Sequence, residues 1–206
     1  MSNYTVFIID DDPSARTGIT RLLNAAGMNT ESFASARDFL AAEKFDEPGC
    51  IVLDIQMPDM TGPELQEELN KYEYVMPIIF LSAHGDVPTT ARAMKKGAVD
   101  FLTKPVELDD LLEAIRISLD KDLEIREQRI ENYAIVEQLK TLTLREHEVM
   151  TQVITGMLNK QIAAEMNISE ETVKIHRRRV MQKLGIVSVA ELVRLCGKAG
   201  IAPAQS

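Results

Sequence analysis

The sequence predicts a doubly wound α/β domain with a parallel sheet, joined by a long helix to an all-α helix-turn-helix domain. Three observations carry that expectation. From Met1 to about Asp120, short β-rich apolar runs alternate with amphipathic helix patterns, the arrangement of βα units wound into a parallel sheet. Leu108–Leu139 holds no Gly or Pro and is rich in Leu, Ile, Glu, Lys, Arg and Gln, a strong helix-forming composition. From Leu142 onward every pattern is helical.

Taken in order, the apolar runs are Thr5–Ile9, a weaker one at Thr30–Phe33, Cys50–Leu53, Ile78–Ser82 and Val99–Leu102, which predict a five-stranded sheet. Helix patterns lie between them at Pro13–Ala26, Ala36–Glu43, Gly62–Lys71 and Val87–Lys96, then from Leu108 onward. Gly and Pro fall mostly at the boundaries, as at Gly27, Pro48-Gly49, Pro77 and Gly97. Within the long helix Leu112, Ile115, Leu119, Leu123, Ile130 and Tyr133 recur three and four apart, with Arg126 interrupting the stripe. Such a helix suits either a short coiled-coil contact with a second subunit or a solvated linker. Thr143-Leu144-Arg145-Glu146 fits a capping box opening the next helix. Lys160–Met166 follows, then a turn at Asn167-Ile168, an N-cap at Ser169, a helix over Glu170–Leu184 and a last one over Val189–Ala199. The expected divisions are 1–120, a helical linker 121–140, and 141–206.

The net charge of −9 is unevenly spread. Residues 1–139 carry 13 Lys and Arg against 26 Asp and Glu, whereas residues 140–206 carry 10 against 6. Only the second part is therefore suited to a polyanion. No run approaches the ~20 apolar residues that a spanning helix needs, so no membrane partner is expected and a cytoplasmic location is the default. Cys50 and Cys196 are far apart and outside any Cys/His cluster, which argues against structural zinc and disulfides.

Chemistry concentrates at predicted strand ends. Asp10-Asp11-Asp12 follow the first strand, Asp54 the third, and Lys104-Pro105 the fifth. The carboxyl edge of an open parallel sheet is where such folds bind ligands. Carboxylates on strands ~5 Å apart repel one another unless a positive charge separates them, and a hard cation such as Mg²⁺, with Mn²⁺ able to substitute, meets that need. Screened in this way, one carboxylate can attack phosphorus to form an aspartyl phosphate, with the Lys104 ammonium facing the phosphoryl oxygens. Asp12 makes the register of the acidic pair ambiguous by one residue; Asp10-Asp11, which directly follow the apolar run, are preferred. In the basic part, two short helices with most cations on the second form a helix-turn-helix pattern.

Residues 1–120 resemble a response-regulator receiver through Asp10-Asp11, "IVLDIQMPDMTG" around Asp54, Ser82 and "FLTKP"; "AHGDVPTTARAMKKGAVDF" (83–101) is similar to the FixJ branch. Residues 142–195 resemble a LuxR-type DNA-binding domain through "LTLREHEV", "GMLNKQIAAEMNISEETVKIHRRRVMQKLGI" and "AELVRL". The resemblance implies a flavodoxin-like receiver and a two-component transcription regulator of the FixJ/NarL type. It makes Asp54 the phosphoacceptor for a sensor histidine kinase and assigns Mg²⁺ to Asp11, Asp54 and the backbone carbonyl of Gln56, with Asp10 helping through water. It makes Lys104 and Ser82 the partners of the phosphoryl oxygens and Phe101 the switch aromatic. It implies a cis peptide before Pro105, a phosphorylation-dependent homodimer through residues 87–102, and double-stranded DNA and RNA polymerase as partners. Gln56 and His84 are further expected to tune the phosphoryl lifetime.

On the second helix of the motif, Lys174, Ile175, Arg178 and Arg179 are expected to face the groove, and Thr172, His176 and Lys183 to meet phosphates. Asn159, Lys160 and Ser169 lie at helix starts, whose amides can also touch phosphate. Two other classes stand beside this reading. A phosphohydrolase of the haloacid dehalogenase type needs Asp-x-Asp, whereas Asp54 is followed by Ile55-Gln56. An adaptor binding RNA or protein through the basic module remains the other alternative.

Overall fold

The computed structural model describes residues 4–44, 46–72, 74, 76–83, 94–202 and 204, and divides into two compact units, Met1–Arg126 and Glu127–Ser206. In the first, β1 (Thr5–Ile9), α1 (Pro13–Ala25), β2 (Asn29–Phe33), α2 (Ala36–Ala41), β3 (Gly49–Asp54), α3 (Gly62–Leu69), β4 (Ile78–Ser82) and β5 (Asp100–Thr103) lead into α4 (Leu108–Lys140). The sheet order is β2-β1-β3-β4-β5 and every pairing is parallel. The chain winds one way from β1 to β2 and the other way from β3 outward, so the switch point lies between β1 and β3. Their carboxyl ends carry Asp10 and Asp54.

Both faces of this sheet are covered, which explains why its central strands are continuous apolar runs. Phe7, Ile9, Ile51, Leu53, Ile78 and Phe80 join one core, and Val6, Ile8, Val52, Ile79 and Leu81 the other. Burial of each such Ile, Leu or Phe contributes ~1.5–3 kcal/mol relative to exposure. The sequence boundaries hold within one or two residues, with physical reasons for the shifts. The second helix ends at Ala41, two residues early, before Glu43 turns to φ 52°. β5 begins at Asp100, one residue late, and β3 reaches Asp54 itself. Asp12 is the N-cap of α1, its carboxylate accepting from Ser14 N–H at 2.8 Å. His84 and most of the helix expected over Val87–Lys96 lie outside the described residues.

The buried face of α4 in this unit runs through Leu111, Ala114, Ile115, Ser118 and Asp122, a helical-period stripe. Leu123, Ile130 and Tyr133, which the spacing placed on one packing stripe with Ile115, are exposed.

In the second unit, Ile135 and Leu139 at the end of α4 join a core with α5 (Leu144–Val153), α6 (Asn159–Met166), α7 (Glu170–Lys183) and α8 (Val189–Lys198). Thr143 and Glu146 complete the expected capping box. Asn167, at φ 52° and ψ 47°, closes α6 in the left-handed conformation that Asn tolerates. Ser169 then caps α7 by accepting from Thr172 N–H at 3.1 Å. Val173 and Val180 hold α7 in the core, leaving its other face to solvent.

Candidate functional site

At the carboxyl edge of the sheet, Asp10, Asp54 and Ser82 are 1%, 5% and 5% exposed. Three parallel strands therefore deliver three polar groups to one buried corner. From beyond β5 the Lys104 side chain reaches in, donating to Asp10 Oδ2 at 2.7 Å and to Asp54 Oδ1. The cis peptide lies between Lys104 and Pro105, and the Lys104 amide donates to the Ser82 carbonyl at 2.7 Å, fixing the start of the turn to β4. The second oxygen of Asp54 accepts from Gln56 N–H at 2.8 Å. Asp10 Oδ1 accepts from Asp12 N–H at 2.9 Å, and Arg16 donates to the Asp10 carbonyl at 2.6 Å.

The floor of this corner is set by Gly62. A Cβ there would lie 2.5 Å from the Asp54 carbonyl and 3.0 Å from the Phe80 ring, so only glycine lets the start of α3 approach the end of β3. Phe101, half-buried, packs against the first core. Burial pushes the Asp54 carboxyl above its ordinary value despite the opposing effect of Lys104. Burial alone would depress the Lys104 ammonium, but its bonds to Asp10 and Asp54 outweigh that and hold it raised. The corner thus holds a carboxylate of enhanced basicity beside a firmly charged ammonium, the pairing needed for nucleophilic attack on an electrophile carrying negative oxygens.

Asp11 and Gln56 are exposed at the rim. Among the described residues no three potential metal-ligating side chains cluster. A site for Mg²⁺ does not require that, since this ion is usually held by one or two carboxylates, with water and phosphate supplying the rest. The paired carboxylates of Asp10 and Asp54 meet that smaller requirement.

The second candidate surface is the outer face of α7. Lys174, Ile175, Arg178 and Arg179 are all exposed, and the isolated apolar surface of Ile175 sits among cations. Lys174 makes a long 3.5 Å ion pair with Glu171. Thr172 is half-buried, its hydroxyl 2.7 Å from that of Ser169. His176 is half-buried and its Nδ1 has no hydrogen-bond partner among the described residues. Lys160 is exposed near the start of α6, while Asn159 accepts from Arg177 at 3.0 Å, bracing the two helices of the motif.

Lys183, expected to meet phosphate, donates to Glu146 at 2.6 Å and to the Thr141 carbonyl at 2.9 Å. Together with the Thr143 amide, this ammonium holds the Glu146 carboxyl down at about 2. Sequence reasoning missed Arg16, Arg177 and the Glu146 partnership. A cation four residues inside a helix, or at its end, carries no signal of the neighbour it meets.

Comparison with known proteins places both parts of the chain in known families. The profile described as "Response regulator receiver domain" matches residues 6–116, and that described as "Bacterial regulatory proteins, luxR family" matches residues 140–196. Nodulation protein W of Bradyrhizobium diazoefficiens is 41% identical over 196 residues, covering 95% of this chain and 86% of that protein. Transcriptional regulatory protein FixJ of Azorhizobium caulinodans is 39% identical over 199 residues, covering 97% and 94%. The solved structure of the response regulator StyR is 46% identical with a TM-score of 0.76, covering 96% of this chain and all of that one.

Proposed function

We propose, for a chain that belongs to the response regulators with a receiver and a LuxR-type DNA-binding domain, that Asp54 accepts a phosphoryl group from a sensor histidine kinase and thereby controls DNA binding. The chain is a signalling transcription factor, as relatives such as TdiR and FixJ are transcriptional regulatory proteins. The observation that carries the Asp54 assignment is the Lys104 ammonium shared between the buried carboxylates of Asp10 and Asp54. In that pocket Asp54 is the nucleophile and Lys104 balances the charge of the incoming phosphoryl oxygens. Ser82, at the tip of the adjoining strand, becomes a donor to one of them.

Asp10, Asp11, Asp54 and the Gln56 carbonyl would hold Mg²⁺ or Mn²⁺, which supplies charge neutralisation for the transferred group. A phosphoryl group adds ~1.5–2 negative charges and strong acceptors, which draw Lys104 and Ser82 toward it. Phe101, paired with Phe80 two residues before Ser82 in the register of β4 and β5, follows that movement. The surface of residues 87–102 then pairs two copies, and RNA polymerase is the downstream partner. On this reading the protein works in the cytoplasm, where its DNA is; among the described residues no helix is long and apolar enough to cross a membrane.

Lys174, Ile175, Arg178 and Arg179 read bases, with Lys160, Ser169, Thr172 and His176 on the flanking backbone. Asn159 and Lys183 serve the domain instead, through Arg177 and Glu146. The test is labelling with acetyl phosphate and Mg²⁺: the wild-type protein labels and Asp54→Asn does not, while its circular dichroism is unchanged. Equal Mg²⁺-dependent labelling of the variant would overturn the assignment.

A further inference from the structure

At the opposite edge of the sheet, Asp122 of α4 is buried with three donors around it. Its Oδ2 accepts from Gly49 N–H at 3.1 Å and Arg126 Nε at 2.9 Å, and its Oδ1 accepts from the Tyr74 hydroxyl. The Arg126 guanidinium also lies 4.5 Å from the centroid of the Tyr74 ring. One carboxylate thus joins the first residue of β3, the segment leading into β4 and the last turn of α4 in this unit. On its other side Gly49 lies so close to β1 that a Cβ there would meet the Thr5 carbonyl at 1.9 Å.

The cluster is an expensive way to hold a helix. Arg126 Nη2 is buried without a hydrogen-bond partner among the described residues, and leaving a buried donor unpaired is unfavourable. Apolar residues of similar volume are often neutral or stabilising replacements for buried ion pairs. What they lack is direction, because a packed leucine tolerates rotation and sliding that a carboxylate with three fixed donors does not. Beside the cluster, a cleft of about 170 Å³ is lined by Gln66, Asn70, Met76, Lys121 and Ile125, while Ile125 also packs against the first core. The bonds to Asp122 add direction to that packing.

β3 carries Gly49 at one end and Asp54 at the other. Resting on the phosphoacceptor reading above, we propose that Tyr74, Asp122 and Arg126 are positioning residues: a clasp by which the strand bearing Asp54 holds α4 and passes the phosphorylation state to the output domain. Removing the clasp leaves the phosphoacceptor pocket intact and weakens the coupling between phosphorylation and DNA binding.

The experiment compares wild type, Tyr74→Phe, Asp122→Asn and the double variant, all full length. Labelling rate with acetyl phosphate is measured alongside DNA affinity with and without beryllofluoride. Tyr74→Phe keeps the ring and removes only the hydroxyl, so it tests the clasp should Asp122→Asn fold poorly. All folded variants should label at the wild-type rate. Their stimulation of DNA affinity should fall by about threefold or more, the scale on which residues remote from both sites alter coupling. The double variant should be no worse than the weaker single one, because the three groups act as a unit. Wild-type stimulation in Tyr74→Phe overturns the clasp while leaving the phosphoacceptor reading intact. A wild-type protein that neither labels nor responds overturns both.

Discussion

Lys104 bridges two buried carboxylates with one ammonium, so its removal acts on both stability and signalling. Lys104→Ala should still label at Asp54, more slowly, yet lose the rise in DNA affinity on phosphorylation; Ser82→Ala should show a milder version. Band-shift titrations with and without beryllofluoride measure this, and a normal rise in both variants would contradict the switch. Glu146 offers a test through acidity. Its folded pKa of about 2 lies below the ordinary 4.5, because the Lys183 ammonium and the Thr143 amide favour the charged form. Its contribution is therefore fully present above about 4.5 and lost as pH falls toward 2. Glu146→Gln should be less stable than wild type at pH 7, and the gap should close across that window in circular-dichroism melts. A constant gap would show that the pair with Lys183 contributes nothing. None of this could be read from residues 140–206 beforehand: 37 positions separate Glu146 from Lys183, and the capping motif alone announced only half of the acid's employment.

At the scale of elements, α7 divides by face. Lys174 and Arg178 stand four apart on the exposed side, and replacing either by Ala should cost ~1–3 kcal/mol at the cognate site and relax base preference there. Titrations on cognate and scrambled duplexes decide; equal losses on both would put the wrong face in the groove. Lys183→Met should instead lower the melting temperature and weaken binding to every duplex alike. The strands and most helices were legible because burial on both sheet faces writes continuous apolar runs, and because Asp12, Thr143 and Ser169 announce helix starts through their own side chains. The acidic and basic strand tips were legible for the same reason, since strand ends fix where a side chain points. The clasp was not, for it joins Gly49, Tyr74 and Asp122 over separations of 48 and 73 residues. In the sequence Arg126 merely interrupts an apolar stripe.

For the whole molecule, phosphorylation should raise self-association, because two recognition helices reading half-sites ~34 Å apart need a two-fold pair. Sedimentation velocity with and without beryllofluoride is the measurement, and a monomer in both states, with DNA bound as well, would refute the dimer. The helix α4 belongs to both units, giving Asp122 and neighbours to one interior and Ile135 and Leu139 to the other. Between them, residues 127–134 include no buried side chain. A fragment beginning at Thr141 leaves out two members of its own core and should melt below one beginning at Glu127. That naked stretch is also the natural seam for recombination. A gene fusion cut at residues 127–134 separates two complete interiors, whereas one cut a few codons to either side carries away part of one, so exchange of input and output modules among such proteins is best tolerated there.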